Sequence, residues 1–152
     1  MRKDFFKQLH EQMTVNDRIV FITGDLGYGL ADDIRKDFPD RFINTGAAEQ
    51  AMMGVAVGMA LSGKIPIVYS ITPFLIFRPF ETIRNYISHE SIPVIMVGSG
   101  RGDDYEHDGF SHYAGDDEII KQLPNIVYLS EDTVNLSLVI AAGRPTYINL
   151  KR

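Results

Sequence analysis

A chain of 152 residues with 45% apolar content is long enough for one domain and one sizeable core. Its net charge of −5 disfavours non-specific nucleic-acid binding, and the absence of cysteine excludes a disulfide framework and a thiolate zinc site, which fits a reducing cytoplasm. No stretch approaches the ~18 uninterrupted apolar residues of a membrane span, and the opening MRKDFFKQLHEQM lacks the apolar run of a signal peptide.

Helix and strand signals alternate from end to end. Phe5, Phe6, Leu9 and Met13 recur at helical spacing. Residues 18–23 (RIVFIT) read as a buried strand, and 31–38 as a short helix stopped by Pro39. A strand at 42–44 precedes a helix over 49–62, closed by Gly63 as its C-cap. Residues 65–70 (IPIVYS) form the next strand. The spacing predicts a helix over 79–88, with Pro79 in its first turn, and a strand over 93–97. A long polar loop over 98–115 leads to a short helix at 116–122 and a strand at 126–129. Ser130 is placed to N-cap a helix reaching residue 142, and 146–150 is the last strand. Alternation of this kind with continuous apolar strands predicts an α/β three-layer sandwich: a single domain over 1–152, a mainly parallel sheet of about six strands, and helices on both faces.

The densest signal is RFINTGAAEQAMMGVAVGMA at 41–60. Glu49 stands where a short strand turns into an apolar helix, and the next turn of that helix is small or apolar. Burying an unpartnered carboxylate costs several kcal/mol. Glu49 is therefore either a solvated acid at a helix start or a buried acid that requires a partner, at a turn of the type where α/β proteins place ligands. Gly54 and Gly58 put small residues on one stripe of the same helix. Tight packing on the sheet is the first reading of that stripe, and a subunit interface the second.

Two phosphate-like patterns fail on inspection. Gly58-x4-Gly63-Lys64 is followed by Ile65, which has no hydroxyl for magnesium, and it runs from helix to strand, the wrong order for a P-loop. The glycines of Gly98-Ser99-Gly100-Arg101-Gly102 are mis-spaced for a dinucleotide fingerprint. The loop RGDDYEHDGFSH at 101–112 clusters carboxylates and two imidazoles. It reads as a solvated acidic loop, a metal site or a source of acid–base groups, and composition does not choose among these.

Across essentially its whole length the chain resembles the pyrimidine-binding domain of transketolase, a thiamine-diphosphate enzyme. The likeness is carried by TGDL around Asp25, by the Gly-Ala-Ala-Glu-Gln turn and its helix, and by GKIPIVYSITPFLIFRPFETIRN. HDGFSH stands where the family has Asp-Gly-x-Thr-His, and LPNIVYLSED and PTYINLKR continue the pattern. The resemblance supplies a partner for Glu49. In the family the corresponding glutamate hydrogen-bonds N1′ of the cofactor's aminopyrimidine and favours the imino tautomer, which activates C2 of the thiazolium. It also implies that Asp25 contributes to the cofactor site and that Phe74 and Phe77 wall the pyrimidine. Asp108 and His112 match residues that contact substrate oxygens, and Arg2 and Arg152 match positions that bind a sugar phosphate.

Some positions depart from the family pattern. Gly29 replaces a serine, the Gly100 region lacks a histidine, and Phe110-Ser111 precede His112 where Pro-Thr or Ala-Thr is usual. The sugars, and the presence of a phosphate on them, stay open. The 152 residues carry no Gly-Asp-Gly with a downstream asparagine, the family's device for holding magnesium and the diphosphate, and the family's third domain is expected not to be part of this chain. The expectation is a subunit or fragment of a split transketolase-like enzyme that transfers a two-carbon ketol unit. A separate diphosphate-binding chain would hold magnesium and share thiamine diphosphate with it, in a homodimer or heterotetramer that takes a sugar or sugar phosphate. Chemistry like that of 1-deoxyxylulose-phosphate synthase or a 2-oxoacid decarboxylase subunit is a near variant. A non-catalytic regulatory module of the same fold and a metal-dependent hydrolase built on the 103–112 loop are the alternatives from other classes.

Overall fold

A computed structural model of the protein describes residues 1–113, 117–130 and 133–152. Helix α1 (Arg2–Val15) is followed by strand β1 (Ile19–Thr23), helix α2 (Asp32–Asp37) and strand β2 (Phe42–Asn44). Helix α3 (Glu49–Leu61), strand β3 (Ile65–Ile71), helix α4 (Thr72–Phe77) and the single turn α5 (Phe80–Thr82) come next, with α5 continuing as a π-helical segment over Ile83–His89. Strand β4 (Ile95–Ser99), helix α6 (Asp117–Lys121), strand β5 (Val127–Leu129), helix α7 (Leu136–Ala142) and strand β6 (Thr146–Leu150) complete the chain.

All five strand pairings are parallel, in the order β2-β1-β3-β4-β6-β5. The strands read as continuous apolar runs because both faces of the sheet are covered. Along β1, Ile19 and Phe21 enter the core under α1, α2 and α7, while Val20 and Ile22 enter the core under α3, α4 and the π-helical segment. The predicted three-layer sandwich of six strands is the observed fold. No helix among the described residues is long and apolar enough to cross a membrane.

Four local expectations change. Gly54 and Gly58 do not pack on the sheet. Both are exposed, with nothing within 4 Å of where a Cβ would sit, and Met52, Met53, Ala56 and Val57 make the buried face instead. The TPFLIF segment forms α4, which the sequence reading passed over because an all-apolar run carries no amphipathic period. The helix predicted over 79–88 is a turn of α-helix followed by π-helix, whose Ser88 donates to the Pro124 carbonyl at 2.6 Å and accepts from Asn125 Nδ2 on its own carbonyl at 3.0 Å. Finally, α7 is capped by Asn135, whose Oδ1 accepts from Leu138 N at 3.2 Å, and not by Ser130. Gly115 and Asp116, counted in the predicted loop and helix, lie outside the described residues, as does the start of the helix predicted after Ser130.

The strand order fixes where a ligand belongs. From β1 the chain steps outward to β2, then crosses back over β1 to β3 and continues the other way to β4. The reversal opens a crevice at the carboxyl ends of β1 and β3, the position where open parallel sheets bind ligands.

Candidate active site

Glu49 lies in that crevice. It is the first residue of α3, and its side chain is only 1% exposed. Gly24, just past β1, lies against it. A Cβ at that position would meet Glu49 Oε1 at 3.4 Å, so the approach is an ordinary close contact. Ser70, near the end of β3, directs its Oγ at the same oxygen from 3.5 Å. The other oxygen, Oε2, accepts from Arg78 Nη1 at 2.7 Å. The alternative left open by the sequence is thus decided: Glu49 is buried and partnered, and its partner is a cation delivered from the joint between α4 and α5.

Arg78 leads on to the aromatic residues. Its guanidinium carbon lies 3.8 Å from the centroid of the Phe74 ring, and the Phe74 ring meets the His112 imidazole edge-on at 4.8 Å. Glu49, Arg78, Phe74 and His112 therefore form one continuous line of contacts. His112 Nδ1 also lies 3.1 Å from Ser111 Oγ, on a short 3-10 turn of the polar loop. Phe77, one residue before Arg78 at the end of α4, is half exposed.

A second cluster lies on the opposite face of the sheet, at the same carboxyl edge. Alternation along β3 and β4 puts Ser70 and Gly98 toward α3 and α4, and Tyr69 and Ser99 toward α1. Arg2, from the first turn of α1, donates to Ser99 Oγ at 3.4 Å and to the Tyr105 hydroxyl at 3.3 Å. The Arg152 guanidinium lies 4.8 Å from the Tyr105 ring centroid and its Nη1 lies 3.7 Å from Asp108 Oδ2. Arg101 Nη2 reaches the Asn149 carbonyl at 2.7 Å. Arg2 and Arg152, at the two ends of the sequence, thus converge on one tyrosine. Burial is the main force pushing the nearby Tyr69 phenol above its ordinary range.

Asp25 joins neither line directly. It has a positive φ of 61° after β1; its Oδ1 accepts from the Tyr28 hydroxyl at 2.6 Å and from Asn44 Nδ2 at 3.0 Å. Asn44 Oδ1 in return accepts from the backbone N–H groups of Asp25 and Gly46. The Tyr28 hydrogen bond, then that of Asn44, holds the Asp25 carboxyl below its ordinary value, and the same contact raises the Tyr28 phenol. Asp25 therefore ties the loop after β1 to the turn that presents Glu49.

Three participants escaped the sequence reading: Arg78, Ser70 and Tyr105. Arg78 had a legible signal, because it is the one cation between Lys64 and Arg84, in a strongly apolar stretch. Ser70 is an ordinary polar residue placed by β3, and Tyr105 lies in a turn of the polar loop after β4.

The donor set fits one half of a thiamine-type cofactor. A buried carboxylate beside a half-buried aromatic ring suits a flat ring that presents N–H groups at its edge. Among the described residues, no three His, Asp or Glu side chains converge in a group that could hold a metal ion.

Residues 1–133 match the family model for the transketolase pyrimidine-binding domain. The chain belongs to that family. Over its whole length it is 33% identical to a protein of Methanocaldococcus jannaschii provisionally named a transketolase C-terminal section, covering 50% of it. It is 32% identical to the 6-deoxy-6-sulfo-D-fructose transketolase subunit of a Clostridium species, again over its whole length and covering 49% of that protein. A solved structure described as a split-gene transketolase in an inactive β4 tetramer superposes with a TM-score of 0.83 at 34% identity, covering 99% of this chain and 51% of the other. The chain spans about half the length of the curated relatives it matches.

Proposed function

We propose that this chain supplies the pyrimidine-binding half of a thiamine-diphosphate site in a transketolase-like enzyme, which moves a two-carbon ketol unit between sugars or sugar phosphates. A separate diphosphate-binding chain completes the site and holds magnesium. The observation that carries this reading is Glu49, a carboxylate 1% exposed in the crevice between the ends of β1 and β3, facing an aromatic ring across a displaceable cation. A fold that only needed a helix start would leave such an acid in water.

The residues divide the work by position. Glu49 holds a proton at a ring nitrogen of the pyrimidine, in surroundings dry enough to strengthen that hydrogen bond. Phe74 offers a face for stacking, worth about 0.5–1.5 kcal/mol beyond simple burial. Phe77 extends that wall outward, and Asp25 braces the turn from below. His112, edge-on to Phe74, donates to or accepts from a substrate oxygen beside the ring, with Asp108 two residues before the start of its turn. Arg2 and Arg152 supply positive charge for an anionic group on the sugar. Bound thiamine diphosphate supplies the electron sink for the carbanion.

The test is reconstitution with a diphosphate-binding chain and measurement of ketol transfer together with C2 proton exchange of the cofactor. Glu49→Gln is nearly isosteric and should keep the fold. It should lower both rates by roughly 10²- to 10⁴-fold, the usual range for a positioned acid–base group. His112→Ala should lower turnover more than exchange. Unchanged exchange in Glu49→Gln would return Glu49 to a structural role and favour the regulatory module.

A further inference from the structure

We propose that Arg78 is an internal stand-in for the aminopyrimidine ring, seated in the ring's own place until the cofactor displaces it. The inference rests on the proposed function and names a residue that function does not require. Three observations meet in one side chain. Its guanidinium donates to Glu49 Oε2 at 2.7 Å, and the same flat group lies over Phe74 with 3.8 Å from carbon to ring centroid. A planar, delocalised group with N–H donors along its edge has the shape and donor chemistry of an aminopyrimidine. A ring stacked on that face of Phe74 and bonded to Glu49 would need the volume the guanidinium fills.

The third observation is that Arg78 is free to leave and Glu49 is not. The Glu49 side chain is 1% exposed and that of Arg78 is 43% exposed. Arg78 sits between the end of α4 at Phe77 and the start of α5 at Phe80, next to Pro79, so no helix continues through it. Apart from Arg78, the Glu49 carboxylate has, among the described residues, only the long 3.5 Å side-chain hydrogen bond from Ser70. A carboxylate buried with so little support is costly. Arg78 offsets that cost in the chain by itself and must surrender the contact when a ring arrives. Cofactor binding is then weakened by the fraction of molecules in which Arg78 is seated.

The chain alone tests this, with 4-amino-5-hydroxymethyl-2-methylpyrimidine as the probe. Arg78→Ala should melt about 3–8 °C lower than the parent. Millimolar probe should restore most of that loss, while raising the parent's melting temperature at least about threefold less. Arg78→Ala/Glu49→Gln should not respond. Equal responses from parent and Arg78→Ala, or none from Arg78→Ala, would overturn the proposal. In the parent, the Arg78 side-chain NMR signals should lose the ring-current shift of Phe74 as probe is added; signals that stay fixed while the probe binds at Glu49 would overturn it without any variant. In a reconstituted complex, Arg78→Met should bind thiamine diphosphate about three- to tenfold more tightly. Turnover that depends on Glu49, with equal cofactor affinity in parent and Arg78→Met, would overturn the stand-in and leave the proposed function standing. Absence of any thiamine-diphosphate-dependent turnover would count against the proposed function instead.

Discussion

The Asp25 carboxylate ties together two turns beside the candidate site. Its hydrogen bonds to Tyr28 and Asn44 hold its folded pKa below the ordinary value of 3.8. A group depressed in this way stabilises the fold above its unfolded pKa and loses that contribution as pH falls through the folded value. Acidification below about pH 5, through the folded value beneath 3.8, should therefore progressively remove this tie between the β1 loop and the turn before α3. Asp25→Asn should melt lower than the parent near neutral pH and show a flatter stability profile across that acid range. Thermal melts of the two chains along one pH series would check it, and parallel profiles would show that Asp25 adds nothing. Gly98 is a second single-residue constraint, of steric kind. A Cβ there would collide with the Tyr147 hydroxyl and lie 2.8 Å from Thr72 Oγ1, so β4 passes under α4 only as glycine.

At the scale of elements, α3 has two faces with separate duties. The inward face buries Met52, Met53, Ala56 and Val57; the outward stripe of Ala51, Gly54, Val55, Gly58 and Leu61 is exposed, with Leu61 at 71%. Glycine inside an exposed helix costs about 0.5–1 kcal/mol relative to alanine. Gly54→Ala meets no neighbour in the chain and should raise its melting temperature by about 2–4 °C. Gly54→Leu should leave the fold intact and weaken assembly, which size-exclusion profiles with and without the diphosphate-binding chain would show. The short helix α7 depends on its start. Its N-cap, Asn135, satisfies Leu138 N, so Asn135→Ala should cost about 1 kcal/mol in chemical denaturation.

For the molecule as a whole, the site lies open at the carboxyl edge of the sheet, and the exposed stripe of α3 begins beside it. An interfacial active site follows from this placement under the proposed function. The isolated chain should self-associate or bind the diphosphate-binding chain through α3, burying well over ~1,000 Å². Sedimentation should find a dimer or larger species. A strict monomer, with or without the partner, would contradict the arrangement. Under the proposed function, calorimetry should find no micromolar binding of magnesium and thiamine diphosphate to the chain alone, because the partner chain holds the diphosphate.

The sequence by itself determined the layers and the order of elements along the chain. Short, β-branched apolar runs such as RIVFIT read as strands covered on both sides, and a helix between successive strands favours parallel crossovers. It also singled out Glu49, because a lone charge ahead of an apolar helix is conspicuous in one dimension. It could not say that Gly54 and Gly58 face outward, since a stripe of small residues satisfies a packed face and an exposed one equally. Nor could it bring Arg2, Tyr105 and Arg152 together, or set Arg78 on Phe74 and Glu49. Those contacts join residues separated along the chain, and only the twist and register of the sheet decide which loops meet at its edge. The tertiary structure therefore decided the partners of each charge, because burial and distance fix what a buried carboxylate requires and neither exists along a sequence.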